Sequence, residues 1–154
     1  MFFIDIFNKM SFGNRKKKGK IGPHELREAE LMLAGKKEVA YFSFDYPQEH
    51  FQTMKKCLED GVFQSIKFGA EENENLLKLP PAVKNRILSL LGDGPYENIV
   101  VYVPGAKDKA LRLVELMQPP WSRGYSEAVE REIGEILGYS EDDINFYIEQ
   151  HKRA

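Results

Sequence analysis

The segment Asn98-Ile-Val-Val-Tyr-Val103, closed by Pro104-Gly105, decides the fold class. It is an unbroken run of β-branched and aromatic residues after one polar residue. Such a run reads as a strand buried on both faces. A second extended segment lies upstream, at Glu38-Val-Ala-Tyr-Phe-Ser-Phe-Asp45. There Val39, Tyr41, Ser43 and Asp45 alternate with Ala40, Phe42 and Phe44. Apolar residues on both sides of the alternation predict a central strand. A third segment, Val62-Phe-Gln-Ser-Ile-Lys-Phe68, sets Val62, Ile66 and Phe68 against Phe63, Ser65 and Lys67. One largely polar side predicts an edge strand.

Helical spacing fills the intervals. Pro23 to Ala34 reads as a first helix, with Pro23 at its first position and Gly35 as its stop. Leu26, Ala29 and Leu33 share its apolar face, widened by Leu31 and Met32. A second helix opens at Pro47 and runs to about Asp60 before Gly61. Gly69 to Leu79 is acidic and Asn-rich and reads as a loop. Pro80-Pro81 opens a third helix carrying Val83, Ile87, Leu90 and Leu91. A fourth runs from Lys107 to Met117. Ser126 caps a fifth helix with Val129, Ile133, Ile136 and Leu137 inward, stopping at Gly138. Ser140 caps a sixth, with Asp143 in capping-box spacing.

Strands alternating with helices imply crossover connections. The expectation is therefore an α/β fold: a small three-stranded, mainly parallel sheet flanked by helices, with a C-terminal helical pair. Residues 1–20 read as an apolar and basic tail, and residues 21–154 as a single α/β domain.

Composition narrows the classes. The chain has 154 residues, 42% of them hydrophobic and 12% aromatic, which suits a packed core and argues against disorder. A net charge of -2 argues against a dedicated nucleic-acid binder. The single cysteine, Cys57, can form neither an internal disulfide nor a Cys-pair metal knuckle. It lies beside Phe51, Met54 and Leu58 at helical spacing and reads as a small buried hydrophobe. A cytoplasmic location follows from that cysteine usage. No stretch reaches the length of a membrane span. In the tail, the apolar run Met1 to Met10 precedes the basic run Arg15 to Lys20, the reverse of a secretory signal. The same order suits contact with an anionic membrane surface, but a frayed or docked tail with a solvated lysine run is the preferred reading, because ten residues bury little area; a third reading makes Met10 the start.

In a parallel sheet, ligands gather at the carboxyl ends of the strands. Those ends supply Asp45, Gly105 and Lys107 as ligand-binding candidates. Gly105 would let an anionic small molecule approach the backbone, and Lys107 would add charge at a helix N-terminus. The plainer reading is a Pro-Gly turn and a helix-capping Asp45. Gln118-Pro-Pro-Trp-Ser-Arg-Gly-Tyr125 joins Trp121, Arg123 and Tyr125 in a proline-stiffened connector. These residue types dominate protein-contact hot spots, which makes the three partner-binding candidates; Trp121 equally suits a core lid. His24-Glu-Leu-Arg-Glu28 lacks the second histidine of a zinc-protease helix, so His24 and Glu28 read as an exposed helix-start pair. His50 and His151 read as surface residues. Glu127, Glu130 and Arg131 read as a solvated face with Glu127–Arg131 pairing. No metal site, cofactor or catalytic residue is assigned.

The stretch Glu130-Arg-Glu-Ile-Gly-Glu-Ile-Leu-Gly-Tyr-Ser-Glu-Asp-Asp-Ile-Asn-Phe-Tyr-Ile148 resembles the C-terminal signature of an uncharacterised, largely archaeal family of small proteins. In that family a helix ends in Leu-Gly-Tyr-Pro and a Cys pair follows. The likeness rests on Gly134 and Leu137-Gly138-Tyr139. It extends to the strand at Val39-Ala40 and the turn Glu59-Asp60-Gly61. Ser140 replaces the proline and Glu141-Asp142-Asp143 offers no cysteine, so no thiol or metal role carries over. Physically, Gly138 makes a left-handed turn and Tyr139 packs between helices.

These readings converge on a non-enzymatic binding or regulatory protein acting through protein–protein contact. The alternatives are a small-molecule or nucleotide-binding enzyme at the strand ends, and peripheral membrane attachment through the tail of residues 1–20, with Arg15 to Lys20 meeting the anionic surface.

Overall fold

A computed structural model describes residues 24, 26–71, 73, 80–82, 85, 89, 96–117 and 126–153. Among these, three strands form one sheet: β1 (Val39–Phe42), β2 (Gln64–Phe68) and β3 (Asn98–Tyr102), in the order β1-β3-β2. The helices are α1 (Glu28–Leu33), α2 (Gln48–Glu59), α3 (Lys107–Met117), α4 (Glu127–Ile136) and α5 (Glu141–Arg153).

The expected mainly parallel sheet is corrected. Both hydrogen-bonded pairs are antiparallel, with Val39 opposite Tyr102 in one and Ile66 opposite Val100 in the other. β1 and β2 run in one direction, but β3 lies between them, giving a split βαβ arrangement. The connection from β2 to β3 also differs from its reading. Ala70, Glu71 and Asn73 are helical where a loop was expected, and Pro81, Ala82, Asn85 and Ser89 are helical again after Pro80. A connection with two helical segments can return the chain to the end of the sheet it left, so the next strand runs antiparallel. The remainder of the expected third helix lies outside the described residues.

The register divides the side chains into two faces, because successive residues of a strand alternate. Val39, Tyr41, Val100 and Tyr102 pack with Ala110, Leu113 and Val114 of α3 and Ile133 of α4, with Leu137 just beyond its end. Ala40, Phe42 and Val101 pack on the other side with Met32 of α1 and Phe51, Met54 and Cys57 of α2. The buried, unpaired Cys57 fits its reading as a small hydrophobe. β3 is the central strand. β1, read as central, is an edge strand whose four residues are buried because helices cover both faces. β2 is an edge strand, as its polar side implied, with Gln64, Ser65 and Lys67 exposed.

The α1 segment departs from its sequence reading in two ways. The helix begins at Glu28, since Leu26 takes a left-handed φ of 62° and Arg27 N–H closes a turn onto His24 O at 2.9 Å. Leu31 and Met32 form the buried side, while Leu26 and Leu33 are exposed. Pro23 lies outside the described residues.

The C-terminal pair forms as its caps predict. Val129 N–H donates to Ser126 Oγ at 3.4 Å, and Asp143 N–H donates to Ser140 Oγ at 3.2 Å. Ser140 also donates to the Asp143 carboxylate at 3.0 Å, so Asp143 completes a variant of the box. Arg112 of α3 grips Glu132 of α4 through two nitrogens, at 2.7 and 3.1 Å, and Arg131 donates to Asn145 of α5 at 2.9 Å. Among the described residues no helix is long and apolar enough to cross a membrane.

A polar knot closes the end of the sheet where β1 and β2 finish. Asn98 Oδ1 accepts from Phe44 N–H at 3.0 Å and from the buried Asn73 side chain at 3.3 Å. Asn73 also donates to Tyr96 O at 2.7 Å. Gly69 sits over this knot with φ 79°, and a Cβ there would come within 2.8 Å of Asn98 Nδ2. Gly69→Ala combines positive-φ strain with that clash, and is expected to destabilise the protein by about 2 kcal/mol in urea unfolding. An unchanged midpoint would show that the knot yields freely.

Candidate functional site

The sequence-derived ligand candidates do not converge. Asp45 follows β1, whereas Gly105 and Lys107 follow β3, and β1 and β3 run in opposite directions. The two groups therefore lie at opposite ends of the sheet, separated by roughly 10 Å or more of strand. Asp45 is exposed and accepts from Ser43 Oγ at 2.5 Å. Gly105 has φ 95° and makes the turn into α3, and Lys107 is exposed. The crevice expected of a parallel sheet has no location in this topology. Trp121, Arg123 and Tyr125 lie outside the described residues, as does the tail with Arg15 to Lys20.

The polar residues that the fold does bring together are His24, Glu28, Lys37 and Tyr139. His24 is 1% exposed and Lys37 is 3% exposed. Glu28 is buried as well, so the expected exposed pair of His24 and Glu28 is corrected. The turn at Leu26 swings His24 inward, where its ring stacks on Tyr139 with centroids 4.0 Å apart and planes 8° from parallel. Tyr139 holds that position because α4 ends in a Schellman turn. Tyr139 N–H bonds Gly134 O, Gly138 N–H bonds Glu135 O, and Gly138 adopts φ 81°.

That turn leaves the carbonyl of Leu137, at the helix C-cap, without a helical donor. The Lys37 side chain fills the vacancy: Nζ donates to Leu137 O and lies 2.8 Å from His24 Nδ1. Nζ also stands 5.5 Å from the centre of the Tyr139 ring. A cation at a helix C-terminus suits the helix dipole. The contact ties the α1–β1 connection to a turn 100 residues later.

Burial dominates the electrostatics. It lowers the Lys37 ammonium from its usual value to about 7, opposed by the Glu28 carboxylate. Burial, then the charges of Lys37 and Arg27, push His24 down to about 3, so its imidazole is neutral near pH 7. Nε2 of His24 is buried and has no hydrogen-bond partner.

A second buried ionisable group lies on α4. Glu130 was expected on a solvated face but is 3% exposed. Burial raises its carboxyl to about 7, opposed by a hydrogen bond from the Tyr147 hydroxyl of α5. Its Oε2 has no hydrogen-bond partner. The expected Glu127–Arg131 contact is present at 3.5 Å, and Glu127 also meets Lys152 at 2.8 Å. His50 is exposed, in agreement with its reading, and the His151 side chain is not among the described ones.

The signals for the missed residues were present. Lys37 continues the period-two series of Val39 and Tyr41, the core face of β1. Glu130 precedes Ile133 and Leu137 by three and seven residues, in phase with the apolar stripe of α4. Reading Glu130 by charge rather than by phase placed it in solvent, and Lys37 was not singled out at all.

Among the described residues, no group of three or more His, Cys, Asp or Glu side chains is placed to hold a metal ion. No family model matches the chain, and neither a curated protein nor a solved structure matches it.

Proposed function

We propose that the protein is a non-enzymatic binding module that acts through protein–protein contact. The observation that carries the reading is the edge of β2. It closes one side of the sheet, pairs only with β3 among the described residues, and exposes Gln64, Ser65 and Lys67. An edge strand offers backbone donors and acceptors to an extended segment of another chain. Ile66 and Phe68 lie half-buried against the core on one face, so a partner strand carrying apolar residues there would extend that packing. Lys67, on the other face, stands 3.9 Å from Glu97 and can turn from that exposed pair to an acidic residue of the partner. The Trp121, Arg123 and Tyr125 connector is the second proposed contact, on the strength of its residue types. The buried His24–Lys37 cluster supports a binding role over catalysis, since its groups are closed off by the fold.

Selection from a library of extended peptides tests this reading. Peptides that bind are expected to shift and protect the amides of Gln64 to Phe68 in NMR spectra, with Trp121→Ala weakening the interaction. Binding peptides that leave the β2 amides unperturbed would remove the proposal.

A further inference from the structure

The contact between Lys37 and His24 has a chemistry that depends on how many protons the two groups share. When Nζ is an ammonium, it is donor only, so His24 Nδ1 must accept. The imidazole then carries its hydrogen on Nε2, the buried atom with no hydrogen-bond partner. This arrangement combines a buried charge with an unsatisfied buried donor, two unfavourable features of an interior.

Removal of one proton abolishes the charge and replaces the unsatisfied Nε2–H donor with a bare Nε2 lone pair. The hydrogen between Nζ and Nδ1 passes to Nδ1, and the hydrogen on Nε2 leaves to solvent. Nζ becomes a neutral amine that accepts from Nδ1–H and still donates to Leu137 O. The pair falls from one positive charge to none, one proton is released, and no heavy atom need move.

We propose that Lys37 and His24 form a single proton-switched clasp between the α1–β1 connection and the α4–α5 turn, in which the tautomer of His24 records the charge of Lys37. In the protonated state the clasp is a charge-assisted hydrogen bond to the C-cap carbonyl of α4. In the deprotonated state it is a neutral one. The surroundings favour a switch near neutral pH. Glu28 of α1 holds the proton on, burial drives it off, and Arg27 adds a positive charge beside His24. The Tyr139 face covers the pair from the α4–α5 turn, and the Leu137 carbonyl accepts from Lys37 and also favours a proton on the His24 ring. On the neighbouring strand end, Glu38 is engaged by Lys109 of α3. The two titrations belong to the pair rather than to either residue.

Long-range proton–nitrogen NMR of the histidine rings decides the matter, recorded on the full chain from about pH 5.5 to about pH 10. The His24 signals are assigned by their loss in His24→Asn. The expected result is the Nε2–H tautomer at the acid end and the Nδ1–H tautomer at the alkaline end. The midpoint should coincide with that of the Lys37 Cε resonance. Lys37→Arg, which keeps its charge, should hold His24 in the Nε2–H form throughout. A wild-type tautomer that does not change would overturn the proposal. So would a midpoint differing from that of Lys37 by more than about one pH unit, or switching that persists in Lys37→Arg. If Lys37→Arg fails to fold, coincidence of the two wild-type midpoints decides alone.

Discussion

Between about pH 7 and pH 10, the wild-type protein is expected to gain on the order of 4 kcal/mol of stability that Lys37→Met does not gain. The sign follows from proton counting. Burial lowers the Lys37 amine to about 7 in the folded state, while the unfolded chain keeps its proton to the ordinary value of 10.5. Across that window unfolding takes up a proton, so rising pH disfavours it. Below about pH 7 both states are protonated and the dependence ends. The comparison with Lys37→Met is a difference between two pH profiles. It therefore cancels the titration of surface groups and any constant cost of the lost bonds to Leu137 and His24. Urea unfolding at several pH values gives both curves, and parallel curves would refute the assignment. His24 acts with the same sign at lower pH, because its folded value of about 3 lies below the ordinary 6.5. Its contribution grows as pH rises through that interval.

Glu130→Gln should show the opposite dependence. Burial raises the wild-type carboxyl from 4.5 to about 7. From about pH 4.5 to pH 7 the folded state holds a proton that the unfolded chain has released. Unfolding therefore releases a proton, and rising pH favours it. Through this group the wild type loses on the order of 3 kcal/mol across this window. Glutamine cannot ionise, so the variant keeps that stability. Relative to the wild type it gains about 3 kcal/mol between pH 4.5 and pH 8, whatever their difference at the acid end. A constant offset at all pH values would show that Glu130 does not titrate as its burial requires. Taken with His24, whose gain offsets the Glu130 loss over most of that window, and with Lys37, the expectation is a wild-type profile that is nearly level from about pH 4.5 to pH 7 and rises in alkali.

Much of the local structure was legible in the sequence. The boundaries of α3, the caps at Ser126 and Ser140, the left-handed Gly138 and the edge character of β2 each depend on neighbours within one or two turns. Strand direction was not legible in this way. It depends on how many times the connection from β2 to β3 crosses the sheet. The helical residues Ala70, Glu71 and Asn73 lie in an acidic, Asn-rich stretch whose composition suggests a loop. Once that direction was misread, the ligand candidates at Asp45 and Lys107 were assigned to the same end of the sheet. The buried cluster was missed for a different reason. Lys37 and Glu130 lie in phase with apolar neighbours, and only distant parts of the chain, the C-cap of α4 and the Tyr147 hydroxyl, make their burial tolerable.

The seam between Lys37 and Leu137 also bears on synthesis. During translation, the β1 segment leaves the ribosome long before the carbonyl that receives its neighbouring amine has been made. Val39 and Tyr41 likewise await Ile133 and Leu137 to complete their cluster. Contacts so distant along the chain form late, because loop closure must precede them. A nascent chain halted after Met117 would hold Val39 and Tyr41 without two of their apolar neighbours, an invitation to chaperones. Release of the last helices from the exit tunnel would then be the event that ends their exposure.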